Sequence, residues 1–358
     1  MILSRYISVT VLLGVLMVLC GLLGLDALFR LVAQLDRVVG NYTPWVAVQY
    51  VLLGTPARIV EIFPIASLIG CLTGLGALAG TSELTVMRAA GVSTMRLVWQ
   101  AIKPLFVLTI GMMLIAEYVV PSTQVMSDTL RDYARKGRSI IDTNYDGLWL
   151  RDDQQFIYAN AAQPKGLMFG LRMFTFDDQH RITRMTSAKR ATFTGDHWLL
   201  EDVTQQHFAI DGYTTESIQY QTHATMDWYS SIKPQLLKFV VIKPENLDMR
   251  SLWTYINFLR EQNLGGKAYE MAFWEKAFYP FAVLSLIMVG VGFIFGPLRQ
   301  STMGYRIFLG VIVGITFQTL QDVVIPIGIV FMLPAIAVMA APAVLSFTLG
   351  AWLLARVR

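Results

Sequence analysis

The chain has 358 residues, 54% of them hydrophobic and only 15% charged, with a mean hydropathy of +0.50. Soluble domains carry about 25% charged residues, so this composition excludes an ordinary soluble enzyme and a disordered chain alike. Residues 122–271 hold 17 Lys and Arg against 18 Asp and Glu, whereas the rest carries a net charge of +5, which is the pattern of a membrane protein with one water-compatible insert.

A spanning helix needs about 20 mostly apolar residues. Tyr6–Leu25 and Ile62–Ser82 are uncharged, and 104–127 contains one charge, Glu117. The first run is longer than a signal-peptide core and lacks a small-x-small cleavage site before Asp26. After the insert come Ala277–Leu298 and two further spans at about 304–324 and 333–355, separated by the expected breakers Pro326-Ile327-Gly328 and Pro334. The resulting division is helices 1–3 in 1–121, an inserted domain in 122–250, and a connecting helix with helices 4–6 in 251–358.

Orientation follows from Lys and Arg in the short connections. Arg5, Arg88, Arg96, Lys103, Arg299, Arg306, Arg356 and Arg358 share one side with a single acid, Glu83, while the opposite connection, 321–333, has only Asp322. Both termini are therefore expected in the cytoplasm and the insert outside, in the periplasm of a bacterium.

The insert reads as β. Trp149–Arg151 and Phe156–Tyr158 flank the turn 152–154, and Leu167–Phe176, Arg181–Thr194, His197–Phe208 and Thr214–His223 follow. Strands at this interval predict an antiparallel sandwich, flanked by helices over Thr123–Arg138 and Ser251–Gln262.

Several chemistries are missing from the sequence. There is no P-loop and no G-x-S-x-G, and His180, His197, His207 and His223 lack metal-ligand spacing. Cys20 and Cys71 lie in apolar runs and read as small buried hydrophobes.

The segment 82–93 predicts a short helix, capped by Ser82 and ended by Gly91, with Leu84, Val86, Met87 and Ala90 as an apolar surface. It suits docking onto another protein or a plain interfacial connector. Arg30 and Arg37 are seven apart, hence on one face of a helix, where two guanidiniums either grip phosphates or snorkel to ordinary headgroups. Glu61 is expected to pair with Arg58, Glu117 to be interfacial, and Gly70, Gly74, Gly76 and Gly80 to permit close helix packing.

The order and spacing of several segments resemble the LptF/LptG family, permeases of the bacterial lipopolysaccharide exporter. These segments are Arg5-Tyr6-Ile7, Ile62-Phe63-Pro64, Gly74-Leu75-Gly76 and the run from Ser82 to Gly91. The run Phe293 to Arg299 and Met303-Gly304-Tyr305-Arg306 resemble its LptG branch in particular. The resemblance implies six transmembrane helices (3+3) with an inserted β-jellyroll-like periplasmic domain in the inner membrane. It implies an LptF-type permease, two LptB-type ATPase subunits, a single-span LptC-type subunit and an LptA-type bridge as partners. ATP and magnesium would be bound by the ATPase, with no cofactor in this chain and no nucleic-acid partner.

In the same terms, the 82–93 helix would enter a groove of the ATPase through Glu83, Leu84, Met87, Arg88 and Gly91, and Arg30 would face the phosphates of the lipid. The family pattern is altered at Ala33 and Asp36, which leaves Arg37 as the nearby second base; Arg131 and Arg135 are the next candidates. Phe63, Phe317 and Leu320 are expected in an apolar cavity wall, and Phe156 and Tyr158 on the inward face of the β domain. The competing readings are the paralogous LptF-type subunit, a lipoprotein-release permease, which six spans disfavour, and an envelope scaffold or sensor, which has no need of a docking helix.

Overall fold

The computed structural model describes residues 2–38, 42–136, 148–152, 154–163, 166–179, 181–211, 214–234, 237, 243–261, 265–296 and 301–356. The chain forms two compact units, one of Met1–Arg37, Ala47–Ser127 and Lys267–Arg358, the other of Val38–Val46 and Asp128–Gly266. In chain order the helices are α1 (Ile2–Leu35), α2 (Pro44–Gly80), α3 (Glu83–Ala89), α4 (Thr94–Leu114), α5 (Val120–Lys136), α6 (Met249–Glu261), α7 (Lys267–Phe295), α8 (Met303–Val330) and α9 (Ala335–Ala355). A π-helical turn, Ile115–Val119, joins α4 to α5 and carries Glu117. Six helical segments among the described residues are long and apolar enough to cross a membrane.

In the helical unit, α1 buries Ile7, Val11, Val15 and Leu19, every fourth residue, and exposes Leu13, Met17 and Leu28. The buried stripe meets the glycines of α2 at backbone distance: a Cβ on Gly70 would lie 2.3 Å from Val15 Cα, and one on Gly74 2.9 Å from Val11 Cα. Without a hydrophobic driving force between helices in lipid, such close approach supplies the attraction. The packing expected of Gly70 and Gly74 is thus present, while Gly80 meets nothing within 4 Å. Cys71 is buried, but Cys20 is exposed, because it follows Leu19 and turns away from the stripe.

Two boundaries differ from the sequence reading. α2 begins at Pro44, well before Ile62, because the charges at Arg58 and Glu61 are paired and do not end the helix. α8 runs through Pro326 and stops at Val330. Its end is a Schellman-type cap: Met332 adopts φ 52, and the amides of Leu333 and Met332 bond the carbonyls of Gly328 (3.0 Å) and Ile329 (3.3 Å). Proline inside a membrane helix is tolerated where neighbours accommodate the lost bond.

The second unit is built on one antiparallel sheet: β1 (Leu148–Asp152), β2 (Gln155–Gln163), β3 (Leu167–Phe176), β4 (Ile182–Phe193), β5 (Trp198–Asp211) and β6 (Thr214–Trp228). Neighbours in the sheet are consecutive in sequence, so among the described residues it is an open six-stranded meander. Among the described residues a single sheet stands where strand spacing predicts a two-sheet sandwich, and the jellyroll implied by the resemblance is not shown. Spacing reports strand number, whereas the short turns let each strand pair with the next. One face buries Ile157, Leu171, Met173, Trp198 and Val203, covered by Ile232 and Leu237 from the chain beyond β6, with Trp198 Nε1 donating to the Ile232 carbonyl at 2.8 Å.

The opposite face is aromatic near β1–β3: Trp149 packs on Tyr158 and Phe174, and Phe156 on Phe176. Phe156 and Tyr158, expected inward, therefore lie opposite the core, since the alternation places Ile157 and Ala159 inside.

The β3–β4 turn is closed by Asp177, whose Oδ1 accepts from the amides of Arg181 (2.8 Å) and Gln179 (2.9 Å) and whose Oδ2 accepts from Arg181 Nε (2.9 Å). The Arg181 amide foremost, then its guanidinium, hold this carboxyl below the ordinary carboxylate range. A depressed pKa gives stabilisation that is present above the unfolded value, about 3.9, and is lost as pH falls through the folded one. Hydrogen exchange, corrected for intrinsic rates, should show the turn better protected in the wild type than in Asp177→Asn near neutrality. The difference should vanish as pH falls through the folded pKa of Asp177, where both side chains become neutral.

Candidate functional site

In the parts of α1 and α2 remote from α3, four charges meet. By the helical rise, Arg58 stands about 33 Å from the Gly80 end of α2, roughly one hydrocarbon thickness. Its guanidinium grips Asp26 with two prongs, Nη2–Oδ1 at 2.7 Å and Nε–Oδ2 at 3.2 Å, and also pairs with Glu61. Arg30, one turn beyond Asp26, approaches the same carboxylate at 3.9 Å and lies 6.0 Å from the centre of the Tyr50 ring. Gly54 makes room for it, since a Cβ there would stand 2.6 Å from Arg30 Nη2. The Arg58–Glu61 pair was legible from i,i+3 spacing. Asp26 was not, because its partner is 32 residues away. Arg37 is not on the helix with Arg30: α1 ends at Leu35 and Arg37 occupies the exposed turn after it, which removes the common helical face.

Of the other phosphate candidates, Arg131 pairs with Asp128 at 3.5 Å in the second unit. Arg135 lies on α5, and its side chain is outside the described residues. Phe63 is fully buried and Phe317 4% exposed, both within the helical core, while Leu320 is half-buried.

The second site is α3. Ser82 does not cap it with its side chain; Ser82 takes φ 62, and its carbonyl accepts the amides of Thr85 (3.0 Å) and Val86 (3.1 Å). The other end follows expectation: Gly91 sits at φ +87, with Val92 bonded to Met87 (3.1 Å) and Gly91 to Arg88 (3.0 Å), a Schellman arrangement. Leu84 and Met87 turn inward onto the helical core, so the free apolar surface is Val86, joined by Met95 and Trp99 at the start of α4. Glu83 accepts from the Thr81 hydroxyl at 2.8 Å, and the Tyr6 side chain of α1 lies near the same carboxylate. Arg88 is half-buried.

Arg306, counted above among the loop bases, lies in the first turn of α8, 3% exposed, and donates to the Gly76 carbonyl of α2. Gly76 permits this, since a Cβ would stand 2.9 Å from Arg306 Nη1. A lone Arg beside a glycine-rich span gave no sequence signal for this contact. Among the described residues no group of three or more His, Cys, Asp or Glu could hold a metal ion. His180 lies outside the described residues.

The family profile described as lipopolysaccharide export system permease LptF/LptG matches residues 5–356. The chain is 32% identical over 359 residues to the lipopolysaccharide export system permease protein LptG of Haemophilus influenzae, covering 99% of each chain. It is 31% identical over 358 residues to the LptG protein of Escherichia coli K12, covering 99% of this chain and 98% of that one. With six membrane-length helices, an inserted sheet and a match along nearly its whole length, the chain belongs to the LptF/LptG family of lipopolysaccharide export system permeases. It is LptG-like and a non-catalytic transmembrane component of that system.

Proposed function

We propose that the chain is the LptG-type half of a heterodimeric permease that lifts lipopolysaccharide from the outer leaflet of the inner membrane and passes it to a periplasmic bridge. In this reading both termini and α3 face the cytoplasm and the β unit faces the periplasm. The partners are an LptF-type permease, two LptB-type ATPase subunits, an LptC-type subunit and an LptA-type bridge. Energy enters through α3, where Glu83, Arg88 and the exposed Val86 meet the ATPase, and Leu84, Met87 and Gly91 hold the helix in shape. Arg30 meets the lipid phosphates at the outer rim, with Arg37 as a further base, and Leu320 belongs to the apolar wall; Arg131 and Arg135 are the next candidates should that pair not carry the contact.

The observation that carries the reading is α3 itself: a short helix between two membrane spans, closed by a Schellman cap, with its acid held by the Thr81 hydroxyl. The test is co-expression with LptF- and LptB-type subunits and reconstitution in lipid. Lipopolysaccharide should stimulate ATP hydrolysis by the wild-type complex. Arg30→Glu with Arg37→Glu should abolish release of lipopolysaccharide while the subunits still co-purify, and Lys at both positions should keep much of it, because charge survives the loss of the planar fork. Normal release by the double Glu variant would move the phosphate contact elsewhere.

A further inference from the structure

The cluster between α1 and α2 is neutral by itself: Arg30 and Arg58 balance Asp26 and Glu61. Asp26 is its centre. Its side chain is 18% exposed, that of Arg58 32% and that of Arg30 24%, so the pairs are sheltered yet reachable. The carboxylate fills the two-pronged face of Arg58 and stands nearest to Arg30. A guanidinium fork presents the same geometry to a carboxylate and to a phosphate. Asp26 therefore occupies the place where a phosphate oxygen pair would bind.

Resting on the function proposed above, we infer that Arg58 is a second cation of the lipid-phosphate site. Asp26 is its built-in competitor, selecting a phosphomonoester over the phosphodiester of an anionic phospholipid, whose charge is not covered by a headgroup cation as it is in phosphatidylcholine. The selection follows from charge. A phosphomonoester carries about −1.5 to −2 near neutrality and outbids a carboxylate of −1 for a pair of guanidiniums. A phosphodiester carries −1 and offers the two arginines nothing that Asp26 does not already supply. The alternative, releasing an unpaired carboxylate into a partly dry site, is costly, so a singly charged headgroup has no net gain in displacing it. Gly54 serves the same end, letting the Arg30 guanidinium lie close against α2. Glu61, more exposed at 47%, keeps one edge of Arg58 engaged while the other is exchanged.

The experiment uses the co-expressed complex in nanodiscs of phosphatidylcholine, with or without excess phosphatidylglycerol, and reads the lipopolysaccharide concentration that half-maximally stimulates ATP hydrolysis. In the wild type this concentration should be nearly the same in both discs. Asp26→Asn should lower it several-fold in phosphatidylcholine and raise it about tenfold when phosphatidylglycerol is added, since the competitor that excluded the diester is gone. Arg58→Gln should raise it in both discs. Lipopolysaccharide stripped of its lipid A phosphates should respond to neither substitution. A wild-type complex that responds to lipopolysaccharide, alongside Asp26→Asn and Arg58→Gln variants that assemble and titrate like it in both discs, overturns the inference and leaves the export function standing. A wild-type complex that does not respond at all overturns the export function itself.

Discussion

Glu83→Ala is expected to cut ATPase-coupled release of lipopolysaccharide at least about tenfold, with the chain still inserted in the membrane at wild-type level. Glu83 is the acid of α3, and its carboxylate is already oriented by the Thr81 hydroxyl. Truncating one partner of a hydrogen-bonded charge pair across an interface costs about 2–5 kcal/mol, much of it the unpaired charge left on the other side. Helix formation does not depend on this side chain, because α3 is closed by backbone bonds at Gly91 and Val92. Thr81→Val should produce a smaller loss of the same kind, since the carboxylate remains but loses the hydroxyl that aims it. The measurement is co-purification with the ATPase together with lipopolysaccharide-stimulated hydrolysis. Wild-type values for both in Glu83→Ala would show that α3 couples through other residues.

Gly70→Val is expected to destabilise the helical unit more than any other single small-residue change on α2. The added Cβ would fall 2.3 Å from Val15 Cα and 2.7 Å from Val15 N, and backbone atoms cannot move aside as a side chain can. The two helices must separate, breaking the contact that Gly14, whose own Cβ would stand 2.7 Å from the Gly70 carbonyl, makes from the other side. Overpacking of this kind typically costs about 1–3 kcal/mol and occasionally more, and here the upper end applies. Gly21→Val is the control, since a Cβ on Gly21 meets nothing within 4 Å. Thermal unfolding of the detergent-solubilised complex should fall by several degrees for Gly70→Val and stay unchanged for Gly21→Val. Equal midpoints would show that α1 is not held by this contact.

The charge cluster on α1 and α2 shows where local reasoning stops. Arg30 was conspicuous as a base where the charge bias expects few, and Arg58–Glu61 was readable as a helical pair. The partnership of Arg30 with Arg37 failed because α1 ends at Leu35; a seven-residue spacing means a shared face only while the helix lasts. The same limit applies to Leu84 and Met87. Their apolar character was visible, but whether an apolar face meets a partner or the chain's own core is decided by what stands beside it, and both turned inward.

Composition and hydropathy alone determined that this is a membrane protein with a β insert. The cost of placing unpaired backbone and charge in hydrocarbon leaves so few solutions that length and charge density suffice. The glycine that closes α3 and the strands of the insert were equally local, because a left-handed cap and a period-two pattern are written in neighbouring residues. Tertiary structure alone decided the rest. The sheet is a meander because pairing depends on which strands meet. α2 runs unbroken past Arg58 because that charge finds Asp26 on another helix. Arg306 is buried because Gly76 leaves room for it. In each case the deciding energy is an ion pair, a hydrogen bond or a steric contact between residues far apart in the chain, and no pattern of near neighbours encodes such a meeting.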